Sequence, residues 1–182
     1  MSDEIGQGST GSAARQVDPW KFAGGFLKGA LSSQIPDEPQ YTDIPWTPVV
    51  RRLSESKVAL LSTAGLSMKG EPPFDMEFER KNPTRGDSSW RRLRADATAE
   101  SIEANHLHID TSYILRDLNV ALPLDRLREL VRDGVVGAMA ESHYSIMGFQ
   151  GSSSTLLEQQ SAPAIAEAMK SEEVDLALLA PV

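Results

Sequence analysis

The chain has 182 residues, 40% of them apolar, which is enough for one globular domain with a core and too few for two full-sized ones. Lys and Arg number 18 against 26 Asp and Glu, and the net charge of −8 argues against a general binder of phosphate backbones. There is no cysteine, which excludes disulfides, thiolate metal sites and cysteine nucleophiles within these residues.

Residues 1–16 are rich in Gly, Ser, Thr, Gln and Ala. They have little to bury and read as a disordered tail that lacks both the basic start and the apolar run of a secretory signal. Residues 17–40 read as an N-terminal arm and connector. Trp20, Phe22, Phe26, Leu27 and Leu31 sit near helical spacing interrupted by Gly24 and Gly25, and Pro36 and Pro39 then bias the chain toward extended backbone. No stretch reaches the roughly 18 to 20 apolar residues of a membrane span. The expectation is a soluble, cytoplasmic protein with neither membrane nor nucleic acid as partner.

The ordered domain is expected over 41–182. Lys57 to Leu61 is a short apolar run ending in Ser62, Thr63, Ala64 and Gly65, which predicts a buried strand and a turn. Residues 68–105 contain Pro72, Pro73, Pro83, Gly70 and Gly86 without a clean period, and read as a long loop. Pro123 to Asp133 predicts a helix with Leu124, Leu127, Leu130 and Val131 on one face, Asp125/Arg128 and Glu129/Arg132 pairs, and a stop at Gly134. Val135 to Met139 is a second strand, Pro163 opens a second helical piece through Met169, and Asp175 to Leu179 is a third strand. This order predicts an α/β fold, a small parallel-sheet, Rossmann-like βαβαβ domain, incomplete at its C-terminal end because no helix follows the last strand.

Parallel sheets of this kind bind ligands beyond the carboxyl ends of their strands. Three sets should therefore gather on one edge: Ser62, Thr63 and Gly65; Ser142, His143 and Tyr144; and Pro181 with Val182. The stretch from His106 to Asp110 carries the densest chemistry. Extended backbone would put His106, His108 and Asp110 on one side, where His143 could join them. Two imidazoles and a carboxylate suit Zn or Fe(II), and equally suit a polar cluster that contacts substrate without metal. Residues 80–96 carry Arg80, Lys81, Arg85, Arg91, Arg92 and Arg94 against Asp87 and Asp96. Arg91 in this run is a candidate clamp for an anionic substrate, carboxylate or phosphate, with a solvated face or pairing with the acidic remainder of the chain as the alternatives. Gly148 to Ser154 could hold an anion at a helix start or be an ordinary capped turn.

A family resemblance emerges from the order of segments. Ile44-Pro45-Trp46-Thr47-Pro48 leads to the run Leu53 to Gly65, then Pro72-Pro73-Phe74-Asp75, Gly86-Asp87-Ser88-Ser89-Trp90-Arg91 and His106 to Asp110. Asp117-Leu118-Asn119, Pro123 to Leu127, Ser142 to Phe149 and Asp175 to Val182 follow. Together they resemble the selenoprotein B family of glycine, sarcosine, betaine and D-proline reductases, from about Tyr41 to the last residue. The resemblance implies a reductase whose selenocysteine or cysteine acts on a small amine or amino-acid-like substrate. A pyruvoyl-bearing subunit and a thiol reductant protein are the implied partners, within an oligomeric complex. In the branch this chain is most similar to, the segment ending Leu179-Ala180-Pro181-Val182 precedes the selenocysteine or cysteine. The expectation is that the reactive residue lies beyond Val182, with the selenocysteine codon read as a stop. Ser62, Thr63, Arg91, His106, His108, Asp110, His143 and Tyr144 are the candidate substrate contacts. A metal-dependent enzyme built on the His/Asp cluster and a non-catalytic assembly module, dimeric across the open sheet edge, stand as the other readings.

Overall fold

A computed structural model describes residues 46–82, 85–107, 109–150 and 154–182, together with Gly25 and Gly29. The chain divides into two units, Met1–Ile44 and Pro45–Val182. In the first, Gly25 and Gly29 are helical; the rest of the expected tail and arm lies outside the described residues. The second carries the α/β fold.

After a 3₁₀ turn at Leu53–Glu55, β1 (Lys57–Ser62) runs through the centre of the main sheet. On one side it pairs in parallel with β7 (Leu176–Ala180), from Val58↔Leu176 to Ser62↔Ala180. On the other side it pairs in parallel first with β5 (Ala138–Met139), through Lys57↔Ala138, and then with β6 (Ser142–Ile146), through Leu61↔Tyr144. β3 (Trp90–Arg94) closes that flank antiparallel to β6, Trp90 opposite Ile146 and Arg94 opposite Ser142. A second, two-stranded sheet joins β2 (Leu66–Met68) antiparallel to β4 (Ile102–Ala104).

The faces follow from the two-residue alternation of a strand. Val58 and Leu60 point to a core shared with Leu66, Leu93, Ile102 and, from α3 (Leu124–Arg132), Leu124 and Leu127. Ala59 points to a second core with Ala140, Tyr144 and, from α4 (Ala162–Ser171), Ile165. Helices therefore pack on both faces at β1, whereas the β7 flank leaves Leu178 on one face and Leu179 on the other exposed. α3 begins after Pro123 and stops before Gly134, whose φ of 71° suits glycine. Asp125 pairs with Arg128 as the spacing predicts, whereas Glu129 pairs with Arg126 and Arg132 with the neighbouring Asp133.

Two expectations are corrected. The supposed loop 68–105 contains α1 (Met76–Lys81), β3 and β4. α1 is too short to show a period and is fixed by its cap, the Asp75 carboxylate accepting the Phe78 N–H at 2.8 Å. β3 reads Trp-Arg-Arg-Leu-Arg with only Leu93 buried, so it lacks the apolar signature of the other strands. The second predicted strand does not end at Met139. A break at Ala140 and Glu141 interrupts it, and β6 carries it on to Ile146, so Ser142, His143 and Tyr144 lie within the strand and its tip is Ile146 to Gly148. α2 (Ser112–Arg116) fills the connection before α3. α4 is preceded by a π turn, Leu157–Ser161.

Candidate functional site at the carboxyl edge of the sheet

β1 ends in a turn that the sequence makes tight. Gly65 has φ 63°, and a Cβ there would lie 2.3 Å from the Asn105 carbonyl oxygen and 2.4 Å from the Met147 sulfur. That close approach joins three loops. The Gly65 N–H donates to the Ile146 carbonyl at 3.1 Å, the Asn105 N–H donates to the Gly65 carbonyl at 2.9 Å, and the Gly148 N–H donates to the Thr63 carbonyl at 2.9 Å. The end of β7 joins them. Thr63 N–H donates to the Ala180 carbonyl at 3.2 Å, and the Val182 N–H donates to Thr63 Oγ1 at 2.9 Å. A fifth segment approaches from β3: a Cβ on Gly86 would lie 1.7 Å from the Phe149 carbonyl oxygen. Loops from five parts of the sequence thus meet at the carboxyl ends of the parallel strands, where such sheets place ligands.

The Gly86 segment is built around Asp87. Its carboxylate accepts the Asp75 N–H at 2.9 Å and the Ser89 N–H at 2.8 Å, and its own N–H donates to the buried Glu79 carboxylate at 3.0 Å. Burial pushes the Asp87 carboxyl up, but the hydrogen bonds from Ser89 and Asp75 and the charge of Arg91 outweigh it and hold it below the ordinary value. Beside this segment, between it and the turn leading into α4, lies a cleft of about 680 Å³ lined by Phe78, Trp90, Leu156, Asp75 and Asp87 among others. Gln150 ties the cleft wall to the edge, its amide donating to the Asp87 carbonyl at 3.4 Å and to the Met147 carbonyl at 2.7 Å, while its Oε1 is buried without a partner.

The sequence-predicted residues are distributed unevenly around this edge. Thr63 is at the strand tip, bonded to Val182. Ser62 is buried beside it, its hydroxyl accepting the Ala64 N–H at 3.2 Å. His106 follows Asn105 directly and is half-buried next to the Gly65 turn. His108 lies outside the described residues. β4 ends at Ala104, so no strand alternation aligns His106 with Asp110, which is exposed; hydrogen bonds from the Ser112 hydroxyl and N–H hold its carboxyl below the ordinary value. Among the described residues no group of three or more His, Asp or Glu side chains is placed to hold a metal ion.

His143 and Tyr144 are fully buried. At the break between β5 and β6, β1 finds no ladder carbonyl for the Leu60 N–H, and His143 Nδ1 accepts it at 3.0 Å. That bond puts the imidazole proton on Nε2, which is buried without a partner. Burial lowers the His143 pKa to about 4, with the Glu172 charge opposing and the Arg128 charge adding to the shift. Tyr144 packs against Trp90, ring centres 5.8 Å apart, and burial raises its hydroxyl above the ordinary value. Arg91 spends its guanidinium inside the chain. It donates to the carbonyls of Pro72, Pro73 and Trp90 and to Ser89 Oγ, and lies 4.3 Å over the Phe74 ring.

Asp87, Trp90 and Phe78 were not among the sequence candidates. The signal available for Asp87, and for the neighbouring Trp90, was the Gly-Asp-Ser-Ser turn at 86–89, where glycine followed by a short acidic residue and two hydroxyls predicts a self-bonded turn.

Residues 33–181 match the family model described as glycine/sarcosine/betaine reductase selenoprotein B. The chain is 32% identical over 134 residues to D-proline reductase subunit gamma of Acetoanaerobium sticklandii, covering 74% of this chain and 52% of the relative. It is 31% identical over 153 residues to glycine reductase complex component B subunit gamma of Symbiobacterium thermophilum, covering 84% and 34%. Similarity extends to sarcosine reductase complex component B subunit beta of Peptoclostridium acidaminophilum, 27% over 110 residues. The chain therefore spans about half of the first of these relatives and about a third of the second. No solved structure matches it.

Proposed function

The chain belongs to the glycine/sarcosine/betaine reductase selenoprotein B family, and from that premise we propose that it serves as a component of a multi-subunit reductase acting on a small amine or amino-acid-like substrate. The observation that carries the proposal is the meeting of five loops at the carboxyl edge, next to the Asp87 cleft. This edge offers Thr63, His106 and the backbone of Gly148 and Phe149 as walls of a substrate pocket. It offers no thiol, since the sequence holds no cysteine. The proposal therefore includes a selenocysteine or cysteine supplied from outside these 182 residues. It also includes a pyruvoyl-bearing partner that presents the substrate to the edge, and a thiol reductant protein.

The DNA following the Val182 codon tests the source of the reactive residue. An in-frame selenocysteine or cysteine codon with continued family similarity is expected, and an unrelated sequence would remove that part of the proposal. Sedimentation of the purified chain with the pyruvoyl-bearing subunit tests the assembly, and a mixture that sediments as its separate parts would count against it.

A further inference from the structure

We propose that the open edge of β7 seats a second copy of this chain, paired antiparallel about a two-fold axis at Leu178 so that the two main sheets become one. This inference does not depend on the reductase reading.

β7 has the makeup of an interior strand at an edge position. Among the described residues it pairs with β1 alone. Its sequence, Leu-Ala-Leu-Leu-Ala, is the unbroken apolar run of a strand buried on both faces. It holds none of the charges or prolines that blunt a free edge. Leu178, beside Leu60, lies on the face of the larger core, and Leu179, beside Leu61, on the other. They are 52% and 62% exposed, so neither face is covered at these residues. A row of unpaired backbone groups between bare apolar side chains is a template for another strand.

The edge is also complementary to itself. A two-fold axis through Leu178, normal to the sheet, keeps each face of one copy continuous with the same face of the other. Leu178 then meets Leu178 of the second copy, and Leu179 meets Ala177 of the second copy. Asp175 falls opposite Pro181 of the second copy and already pairs with Arg51 at 3.3 Å, so no like charges oppose each other along the strand. Five residues are a small footing for the about 1,200 Å² that a stable interface buries, and residues 46–51 extend it. Val49 and Val50, both exposed, line with Val174, Leu176 and Ala177 a groove of about 370 Å³ beside the amino half of β7. In the two-fold register Leu179 and Val182 of the second copy lie opposite Ala177 and Val174, at this groove. Each copy therefore offers both the socket and the side chains that enter it.

The test measures the mass of the full chain in solution by sedimentation velocity and light scattering. Twice 19.8 kDa is expected at micromolar concentration. Leu178→Lys sets two like charges against each other at the axis and should give a monomer with the far-ultraviolet circular dichroism of the native chain. Because the chain has no cysteine, a single introduced one reports its own surroundings. A short bis-maleimide should link Leu178→Cys into a dimer at least about tenfold faster than Leu156→Cys, a leucine of similar exposure away from β7, because pairing raises the effective concentration of the thiols. A monomeric native chain, an oligomer larger than a dimer, a dimer that Leu178→Lys leaves intact, or equal linking at the two positions would each overturn the proposal. A monomer in which the Leu178→Cys thiol resists maleimide would overturn it too, because another part of the same chain would then cover the edge. No partner subunit or substrate enters the measurement, so its failure leaves the reductase reading where it stands.

Discussion

His143 supports a quantitative prediction because one imidazole nitrogen does the work of a strand carbonyl. The Leu60 N–H has no ladder partner at the β5–β6 break and depends on Nδ1. Protonation removes that acceptor and buries a charge, with Arg128 opposing it and Glu172 favouring it. The folded pKa, about 4, is below the ordinary 6.5, so the unfolded chain takes the proton more readily. The neutral-imidazole stabilisation is complete above pH 6.5, declines as pH falls, and levels off below pH 4. Integrating over that window gives a loss of about 2 kcal/mol by pH 5 and about 3 kcal/mol by pH 4. Urea unfolding at intervals from pH 7 to 4 should show this slope in the native chain. His143→Gln, which offers an amide oxygen and cannot titrate, should be less stable at pH 7 and lack the extra slope. Parallel profiles for the two proteins between pH 6.5 and 4 would refute the placement of a neutral His143 in the ladder.

Other substitutions probe the edge and the cores. Gly86→Ala puts a methyl group against the Phe149 carbonyl and should cost about 1–3 kcal/mol in urea unfolding, since backbone rather than a side chain must move. Leu60→Ala should cost about 2–5 kcal/mol in the same assay, because the side chain is fully buried in the larger core. Thr63→Val removes the oxygen that takes the Val182 N–H and should speed amide exchange at Val182 without moving the global unfolding midpoint by more than about 1 kcal/mol. Arg91→Lys keeps the charge but loses the fork to Pro72 and Pro73; amide exchange in residues 72–75 should rise while β1 stays protected.

The strand β1 and the helix α3 were legible because each buries a run or stripe of apolar residues, and β7 because its sequence is an unbroken apolar run, although Leu178 and Leu179 stay exposed. β3 and β6 were not, for a shared reason. Among the described residues β3 pairs only with β6, and β6 with β3 on one side and β1 on the other, so neither place depends on an apolar run: Arg91 to Arg94 in β3, Ser142 to Ser145 in β6. β6 is nonetheless buried almost throughout, and its serines and histidine stay inside only because the ladder and its break give them partners. The Ser145 hydroxyl takes the Leu66 N–H at 2.8 Å, as His143 takes that of Leu60. A sequence cannot announce such a strand, because its polar residues are satisfied by backbone groups of distant segments.

The same physics limits how far chemistry can be inferred from residue type. An arginine and a histidine look reactive in sequence because their donors and acceptors are strong, and strong groups are also what a fold uses to bind its own loops. Arg91 is occupied by Pro72, Pro73, Ser89 and Trp90, and His143 by Leu60. What distinguishes Asp75 and Phe78 is spare capacity. Asp75 caps α1 with one oxygen and faces the cleft, and Phe78 stays 38% exposed beside it. A residue free to meet a ligand is one whose interactions the fold has not already used, and by that criterion Asp75 and Phe78 stand ahead of Arg91 and His143. If Arg91 were instead the substrate anchor, Arg91→Lys would abolish binding of a carboxylate-bearing amine while leaving the loop at residues 72–75 ordered. The hydrogen bonds to that loop predict the reverse.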